Sequence, residues 1–364
     1  MKTTDLPVSA PGRPVVSVVM ANFNGGAYLA DAIGSVQAQT LRDLEIIVSD
    51  DASIDNSVDI VTQLRATDPR IRLLRSNHNG GPAAARNRAI RVADGKWIAV
   101  VDSDDLIYPD RLKTLIEAAE RDRADIVADD LLKVDLNKIQ PTRRLLSGRW
   151  MDAPFWVDIV EYIRLNQMYG PGPGLGYLKP LFRASIFRKT ATRYDESLRN
   201  SEDYDLVLRL LHSGKRMRVY PLPLYVYRKH SNSLSHRLSE SALEALLVAN
   251  RRFFDGVKLD DFCLRAAVAA RTRSIEIALA YESLLTAMKL HNYGASLAIA
   301  VANPKAATLL RLPIGVRLRR LFMRHVGESH NSLGSGESQR SWPNICELNI
   351  PPPSGAASSK GTVS

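Results

Sequence analysis

Three carboxylates crowd the end of residues 97–105, WIAVVDSDD, where Asp102, Asp104 and Asp105 follow an unbroken apolar run. The run is bulky and β-branched and does not alternate, which is the pattern of a buried strand. Its acids therefore fall at a strand C-terminus, the edge of an open α/β sheet where ligands bind. Asp102 and Asp104 flank Ser103, and like charges held that close are costly unless something positive neutralises them. A divalent cation carrying a phosphorylated ligand is the natural neutraliser, because hard cations take carboxylate oxygens together with substrate phosphates. The same residues would also suit a strand-end turn followed by a helix cap.

Two more acidic clusters lie in comparable places. Asp50-Asp51-Ala52-Ser53 closes the apolar run at 44–48, and Glu202-Asp203 opens the helical pattern NSEDYDLVLRLL. The elements around them alternate. Residues 15–21 read as a first strand, turned by Asn22-Phe23-Asn24-Gly25-Gly26 into a helix with Leu29, Ile33 and Val36 on one face. Residues 44–48 and 71–74 read as further strands, with a helix carrying Val58, Val61 and Leu64 between them. Asn79-Gly80-Gly81 opens a helix through Arg86 and Asn87, and another helix runs from Pro109 to about Arg123. Residues 125–134 close the series as a strand. Such alternation predicts an α/β fold, a mostly parallel sheet with helices on both faces. Parallel strands point one way, so Asn22 to Asn24, Asp50 to Ser53 and Asp102 to Asp105 should meet at one crevice.

The remainder is less regular. Trp150, Phe155 and Trp156 lie in a segment with a Gly/Pro-rich turn at 170–176, followed by a candidate strand at 177–182. Residues 216–220 and 224–228 read as two strands, the second running into His230. Residues 238–254 and 262–302 are long helical patterns. The expected organisation is a disordered N-terminus at 1–13, two halves of one α/β domain at 14–135 and 136–236, a helical appendage at 237–326 and a disordered tail at 327–364.

Composition sets bounds. The 364 residues carry a net charge of +10, and six Lys/Arg stand between residues 304 and 325 without one Asp or Glu. That stretch suits a solvated helix face or peripheral contact with an anionic membrane. No RNA- or DNA-binding module accompanies it, so nucleic acid is not an expected partner. No apolar run reaches the roughly 18 residues of a membrane span. The run at 15–21 fits a strand better than a signal peptide, so the expected location is cytoplasmic. Cys263 and Cys346 match no metal knuckle or disulfide framework. The first turn, NFNGG, is not G-x-G-x-x-G, and no P-loop occurs. Ile107 and Lys113 stand where an EF-hand needs Gly and Glu.

The stretches VVMANFN, IIVSDDAS, NGGPAAARN, VVDSDD, GYLKPLFR and SEDYDL, in that order, resemble the motifs of family 2 glycosyltransferases, the inverting enzymes of the GT-A nucleotide-diphospho-sugar transferase fold. They cover about residues 15–230. Two departures are mild: Ala21-Asn22-Phe23-Asn24 stands for Pro-x-Tyr-Asn, and Asp50-Asp51-Ala52-Ser53 for Asp-Asp-Gly-Ser. The resemblance implies transfer of a hexose from a UDP-sugar to a saccharide or lipid-linked saccharide acceptor, with Mn2+ or Mg2+. It is strongest to enzymes that extend lipid-linked exopolysaccharide repeat units. A place at the cytoplasmic face of the inner membrane would suit that acceptor.

The resemblance also implies roles. Ala21, Asn22, Phe23, Asn24, Asp50, Asp51, Arg86, Asp102 and Ser103 would hold the nucleotide-sugar, with Asp51 accepting the ring N–H of uracil. Asp104 and Asp102 would meet the metal, with His230 completing its site, while Asp105 caps the following turn. Asp203 would be the general base and Glu202 would position the acceptor. Lys179 and Arg183 could line the diphosphate or acceptor region, and Trp150, Phe155 or Trp156 could stack on an acceptor sugar. A leaving diphosphate is already acidic, so a metal can replace the acid and one carboxylate base suffices. Two alternatives stand beside this reading: a sugar nucleotidyltransferase, and a catalytically idle sugar-nucleotide-binding scaffold.

Overall fold

The computed structural model describes residues 12–136, 142–230, 239–255 and 261–311. The expected disordered N-terminus, the tail at 327–364 and most of the basic stretch lie outside the described residues. Strand β1 (Val16–Asn22) leads into α1 (Gly26–Gln37), β2 (Leu44–Asp50), α2 (Ser57–Thr67), β3 (Ile71–Arg75), α3 (Pro82–Arg91) and β4 (Trp97–Val100). The order β3-β2-β1-β4 is parallel throughout. Strands β1, β2 and β4 are almost wholly buried, as continuous Val/Ile-rich runs require when helices cover both faces.

Beyond β4 the sheet becomes mixed. Strand β5 (Leu106–Ile107) and helix α4 (Arg111–Asp122) precede β6 (Ile126–Asp135), and β7 (Arg143–Arg144), β8 (Phe155–Val157) and α5 (Ile159–Leu165) follow. Strand β9 (Leu181–Arg183) then enters between β4 and β6, antiparallel to both. It is shorter than the expected strand at 177–182, because Leu175–Tyr177 forms a 3-10 turn. Helices α6 (Ser185–Lys189) and α7 (Glu202–His212) lead to β10 (Met217–Lys229), parallel to β6 and antiparallel to β5 and β8. The two strands expected at 216–220 and 224–228 are one. Pro221 and Pro223 withhold two ladder donors, and the register shifts there instead of the strand ending.

Helices α8 (Glu240–Asp255), α9 (Phe262–Lys289), α10 (Tyr293–Ala302) and α11 (Pro304–Thr308) follow. The pattern expected over 262–302 is broken at His291, whose φ of 58° is left-handed. The Asn292 side chain then caps α10 by accepting from the Ala295 N–H. Helix α9 is stitched to the α/β core. Arg271 donates to the Asn166 carbonyl and stacks on Tyr204, and Ser274 Oγ accepts from the Met168 N–H.

The turn after β2 has one strained position. Ala52 has φ 67°, a left-handed conformation that costs a Cβ-bearing residue roughly 1–2 kcal/mol. Asn24 (φ 51°) and Ser201 (φ 63°) share that region, and only Asn tolerates it readily. Ala52→Gly is therefore expected to raise stability by about 1 kcal/mol, less the added unfolded-state entropy. Urea unfolding of the two proteins checks this; an unchanged or lower midpoint would show that the turn bears no strain.

Candidate active site

The C-terminal ends of β1, β2 and β4, the start of α3 and the start of α7 surround one cleft of about 1050 Å³. Its walls include Ala21, Asn22, Phe23, Asn24, Asp51, Arg86, Asp102, Ser103, Asp104, Glu202, Asp203 and His230. These come from residues up to 209 positions apart in the chain. The volume lies at the upper end of small-molecule sites, enough for a nucleotide-sugar and part of a second substrate.

Arg86 is the centre of the cleft's charge network. Its side chain is only 4% exposed. Nη2 donates to Asp102 Oδ1 at 2.8 Å, and Nη1 reaches Glu202 Oε1 at 2.5 Å and Asp203 Oδ1 at 3.3 Å. Lys179 closes the other side, with Nζ 2.8 Å from both Asp102 Oδ2 and Asp203 Oδ2. Two cations thus face three carboxylates. Burial pushes the Asp102 carboxyl up, but Lys179 and Arg86 outweigh it and hold the group well below the usual carboxylate range. Burial raises Glu202, with the Asp203 charge adding to it. The Asp102 charge is thus neutralised by the protein's own Arg86 and Lys179, not by a cation alone as its sequence suggested.

Asp104 is differently placed. Oδ2 lies 2.9 Å from His230 Nε2, and the side chain is partly exposed to the cleft. Burial and the charge of Asp102 push its carboxyl up, with His230 opposing. Tyr28 packs against the His230 ring, the centroids 4.5 Å apart. Asp102, Asp104 and Asp105 each bring one carboxylate oxygen within 4.8 Å of the others. Asp105 nevertheless faces away. It does not cap the turn before Pro109 as expected but accepts from the Tyr225 hydroxyl and the Arg228 N–H. Arg228 in turn donates to the Asp104 carbonyl, pairs with Asp31 and donates to the Tyr28 carbonyl. The acidic turn is therefore bolted to β10, a role the bare run DSDD does not reveal.

The turns after β1 and β2 brace each other. Asp50 accepts from Asn22 Nδ2 and from the Ser53 N–H, and it does not reach the cleft surface. The structure sets Asp50 back from the cleft, with each carboxylate oxygen holding a contact within the turn. Asn24 is half committed: its Oδ1 accepts from the Ile54 N–H. Asp51 lines the cleft, accepting from the Gly81 N–H at 2.7 Å and from Arg88 at 3.1 Å. Gly81 has φ 89°, which only glycine adopts cheaply, and it turns its N–H onto that carboxylate. Phe23 projects into the cleft and is 48% exposed, an unpaid apolar cost that suits a stacking surface.

Several expected site residues lie elsewhere. Arg183 pairs with Glu120 and stacks over Trp97, and it lies outside the cleft lining. Trp150 packs on Phe155, and Trp156 lies under Arg216 and Arg218. None of these three aromatics borders the cleft. Tyr169, Tyr177 and Tyr227 do, together with Lys133 and Arg271. Sequence reasoning missed them, because they sit in an irregular segment or on elements distant in the chain. The only signal was the density of Tyr around the 170–176 turn.

A mixed α/β sheet with an acidic strand-end turn, a paired Glu-Asp at a facing helix start and room for two substrates defines a sugar-transferring enzyme of the GT-A type. The chain belongs to glycosyltransferase family 2, whose model, "Glycosyl transferase family 2", matches residues 17–189. It is 34% identical to the succinoglycan biosynthesis protein ExoO of Rhizobium meliloti over 319 residues, covering 88% of this chain and 90% of that protein. Among solved structures it resembles S. aureus TarS 1-349 in complex with UDP-GlcNAc (TM-score 0.55, 18% identity, 80% of this chain and 91% of that one). It also resembles the mannosyltransferase PcManGT of Pyrobaculum calidifontis in complex with GDP-Man and Mn2+ (TM-score 0.53, 17% identity, 87% and 84%). At those identities the likeness is one of fold. Family membership makes sugar transfer the activity and sets the nucleotidyltransferase and idle-scaffold alternatives aside.

The lattice predicts a pH dependence. An Asp in the unfolded chain titrates near ~3.9. The folded Asp102 titrates lower, so its contribution to stability is fully present above about pH 4 and is lost as pH falls through the folded value. The urea midpoint of the protein should exceed that of Asp102→Asn at neutral pH, and the gap should narrow below about pH 4. A gap independent of pH would mean that Asp102 is not held ionised by Arg86 and Lys179.

Proposed function

We propose that the protein moves a hexose, with inversion, from a UDP-sugar to a hydroxyl of a lipid-linked saccharide during exopolysaccharide assembly. The observation that carries this reading is the meeting of Asp102 and Asp203 on one pair of cations, Arg86 and Lys179, inside a cleft with room for donor and acceptor. Donor and acceptor carboxylates are thereby held in one fixed frame. Fixing the reacting partners is itself a large part of catalysis.

In this reading Asp51 accepts the uracil ring N–H through lone pairs that Gly81 and Arg88 leave open. Phe23 stacks on the base. Asp102 and Ser103 meet the ribose and diphosphate. Asp203 takes the proton of the acceptor hydroxyl, with Lys179 and Arg86 fixing its orientation, and Glu202 positions the acceptor. The donor set fits a hard divalent cation: Asp104 offers carboxylate oxygen facing the cleft and His230 an imidazole nitrogen beside it. Mn2+ or Mg2+ held there would neutralise charge developing on the leaving diphosphate. The named function of ExoO supports the exopolysaccharide assignment. No described helix is long and apolar enough to cross a membrane. The enzyme would meet its lipid-linked acceptor from the cytoplasmic face of the inner membrane.

The test is release of UDP from a panel of UDP-sugars mixed with membrane lipid extract, with and without EDTA. Turnover with one donor, abolished by EDTA and restored by Mn2+ or Mg2+, is expected; metal-independent turnover would remove Asp104 and His230 from their role. Asp203→Asn should lower transfer by about 10²–10⁴-fold while UDP still binds, the range for loss of a general base. Transfer at the wild-type rate would show that Asp203 is not the base.

A further inference from the structure

Helix α10 is unlike the other α-helices among the described residues. None of its ten residues, YGASLAIAVA, is charged, and none is buried. Leu290, just before it, is 74% exposed, and Tyr293, Leu297 and Val301 are 72%, 67% and 71% exposed. The last three are spaced by four, so they form one stripe along the helix. Gly294, Ala298 and Ala302 flank the stripe and are also exposed, so no polar side chain interrupts it. The opposite side, with Ile299, packs towards α9. A contiguous apolar surface of this kind marks an interaction site.

The charge around it selects the occupant. From Glu282 to Glu328 the chain contains no other Asp or Glu and seven Lys or Arg. Lys289 precedes the stripe and Arg311 follows it, and both are exposed. A second copy laid on this surface would set Lys289, which adjoins the stripe, near its own counterpart, which opposes association. A bilayer with anionic headgroups satisfies both features at once. The stripe enters the headgroup–acyl boundary while the cations meet the headgroups. Tyr293 has the apolar ring and polar tip that suit the headgroup level.

We propose that α10 docks the protein on an anionic lipid bilayer, lying in the plane of the interface through Leu290, Tyr293, Leu297 and Val301. The proposal draws on the reading of a lipid-linked acceptor only for its purpose, since the residues are separate from the cleft.

Sedimentation of the full chain with vesicles tests it. The protein should pellet with mixed phosphatidylglycerol–phosphatidylcholine vesicles and far less with phosphatidylcholine alone, and added salt should weaken the binding. Leu297→Glu with Val301→Glu should lower the partition coefficient by about tenfold or more. UDP binding by that variant shows that it is folded. Failure of the wild type to bind anionic vesicles, or undiminished binding by the folded variant, overturns the proposal. So does a dimer seen by light scattering that the double variant dissolves, because a second copy would then cover the stripe. Loss of UDP-sugar turnover with vesicle binding intact would instead count against the proposed function.

Discussion

Three carboxylates cannot share a low-dielectric pocket without cations between them, and the cleft is built to meet that condition. Arg86 contacts Asp102, Glu202 and Asp203, and Lys179 contacts Asp102 and Asp203. Removing one partner from a buried ion network leaves an uncompensated charge, typically worth about 3–5 kcal/mol. The network joins α3, the end of β4, the segment before β9 and the start of α7. Those elements come from both the parallel and the mixed part of the sheet. The planar guanidinium suits the task, because its fork can meet several carboxylates at fixed angles, which a lysine ammonium cannot.

A second tier holds the network in place. Arg111 is wholly buried, paired with Asp129 on β6, and donates to the Lys179 carbonyl. It thereby fixes the backbone from which Lys179 projects. Tyr225 and Arg228 on β10 do the same for the acidic turn, gripping Asp105, the Asp104 carbonyl and the Asp102 N–H. Arg271 on α9 ties down Asn166, whose Oδ1 accepts from the Gly176 N–H beside the cleft. Each anchor fixes at least one backbone atom: Arg111 the Lys179 carbonyl, Tyr225 the Asp102 N–H, Arg228 the Asp104 carbonyl and Arg271 the Asn166 carbonyl. Geometry held this way does not depend on the ligand being present, as preorganisation requires.

What could be read from the sequence follows from how local each signal was. The parallel part was legible because β1, β2 and β4 are largely apolar runs, broken by Ser17 and Glu45, with punctuating turns. The convergence of those turns followed from strand direction alone. That Asp51 lines the cleft while Asp50 is set back from it was not legible, because this depends on Asn22 and Gly81, far away in the chain. Arg183 and Lys179 looked equivalent, yet Lys179 points into the cleft and Arg183 is held on the other side by Glu120. The antiparallel entry of β9 was hidden too. Three residues carry no periodicity, and their place between β4 and β6 is set by tertiary packing. The aromatic wall was missed for the same reason, since its members share no local pattern.

The net charge of +10 invites the inference that the cleft attracts its anionic donor by bulk electrostatics. The distribution argues otherwise. Inside the cleft the lattice holds more carboxylates than cations, and Asp104 adds a further acid beside it. Across the whole lining, five acids (Asp51, Asp102, Asp104, Glu202 and Asp203) face five cations (Arg86, Lys133, Lys179, Arg199 and Arg271), so bulk charge gives a diphosphate no strong pull into the cleft. In the proposed function, donor recognition then comes from directed contacts: the Asp51 acceptor, the exposed Phe23 ring, and positive charge brought to Asp104. Six Lys/Arg follow α10 in the sequence without an acid between them, and the proposed docking on a bilayer gives that excess a separate task. Under these two proposals the balanced cleft and the basic sequence after α10 serve two kinds of recognition that a single net charge conceals.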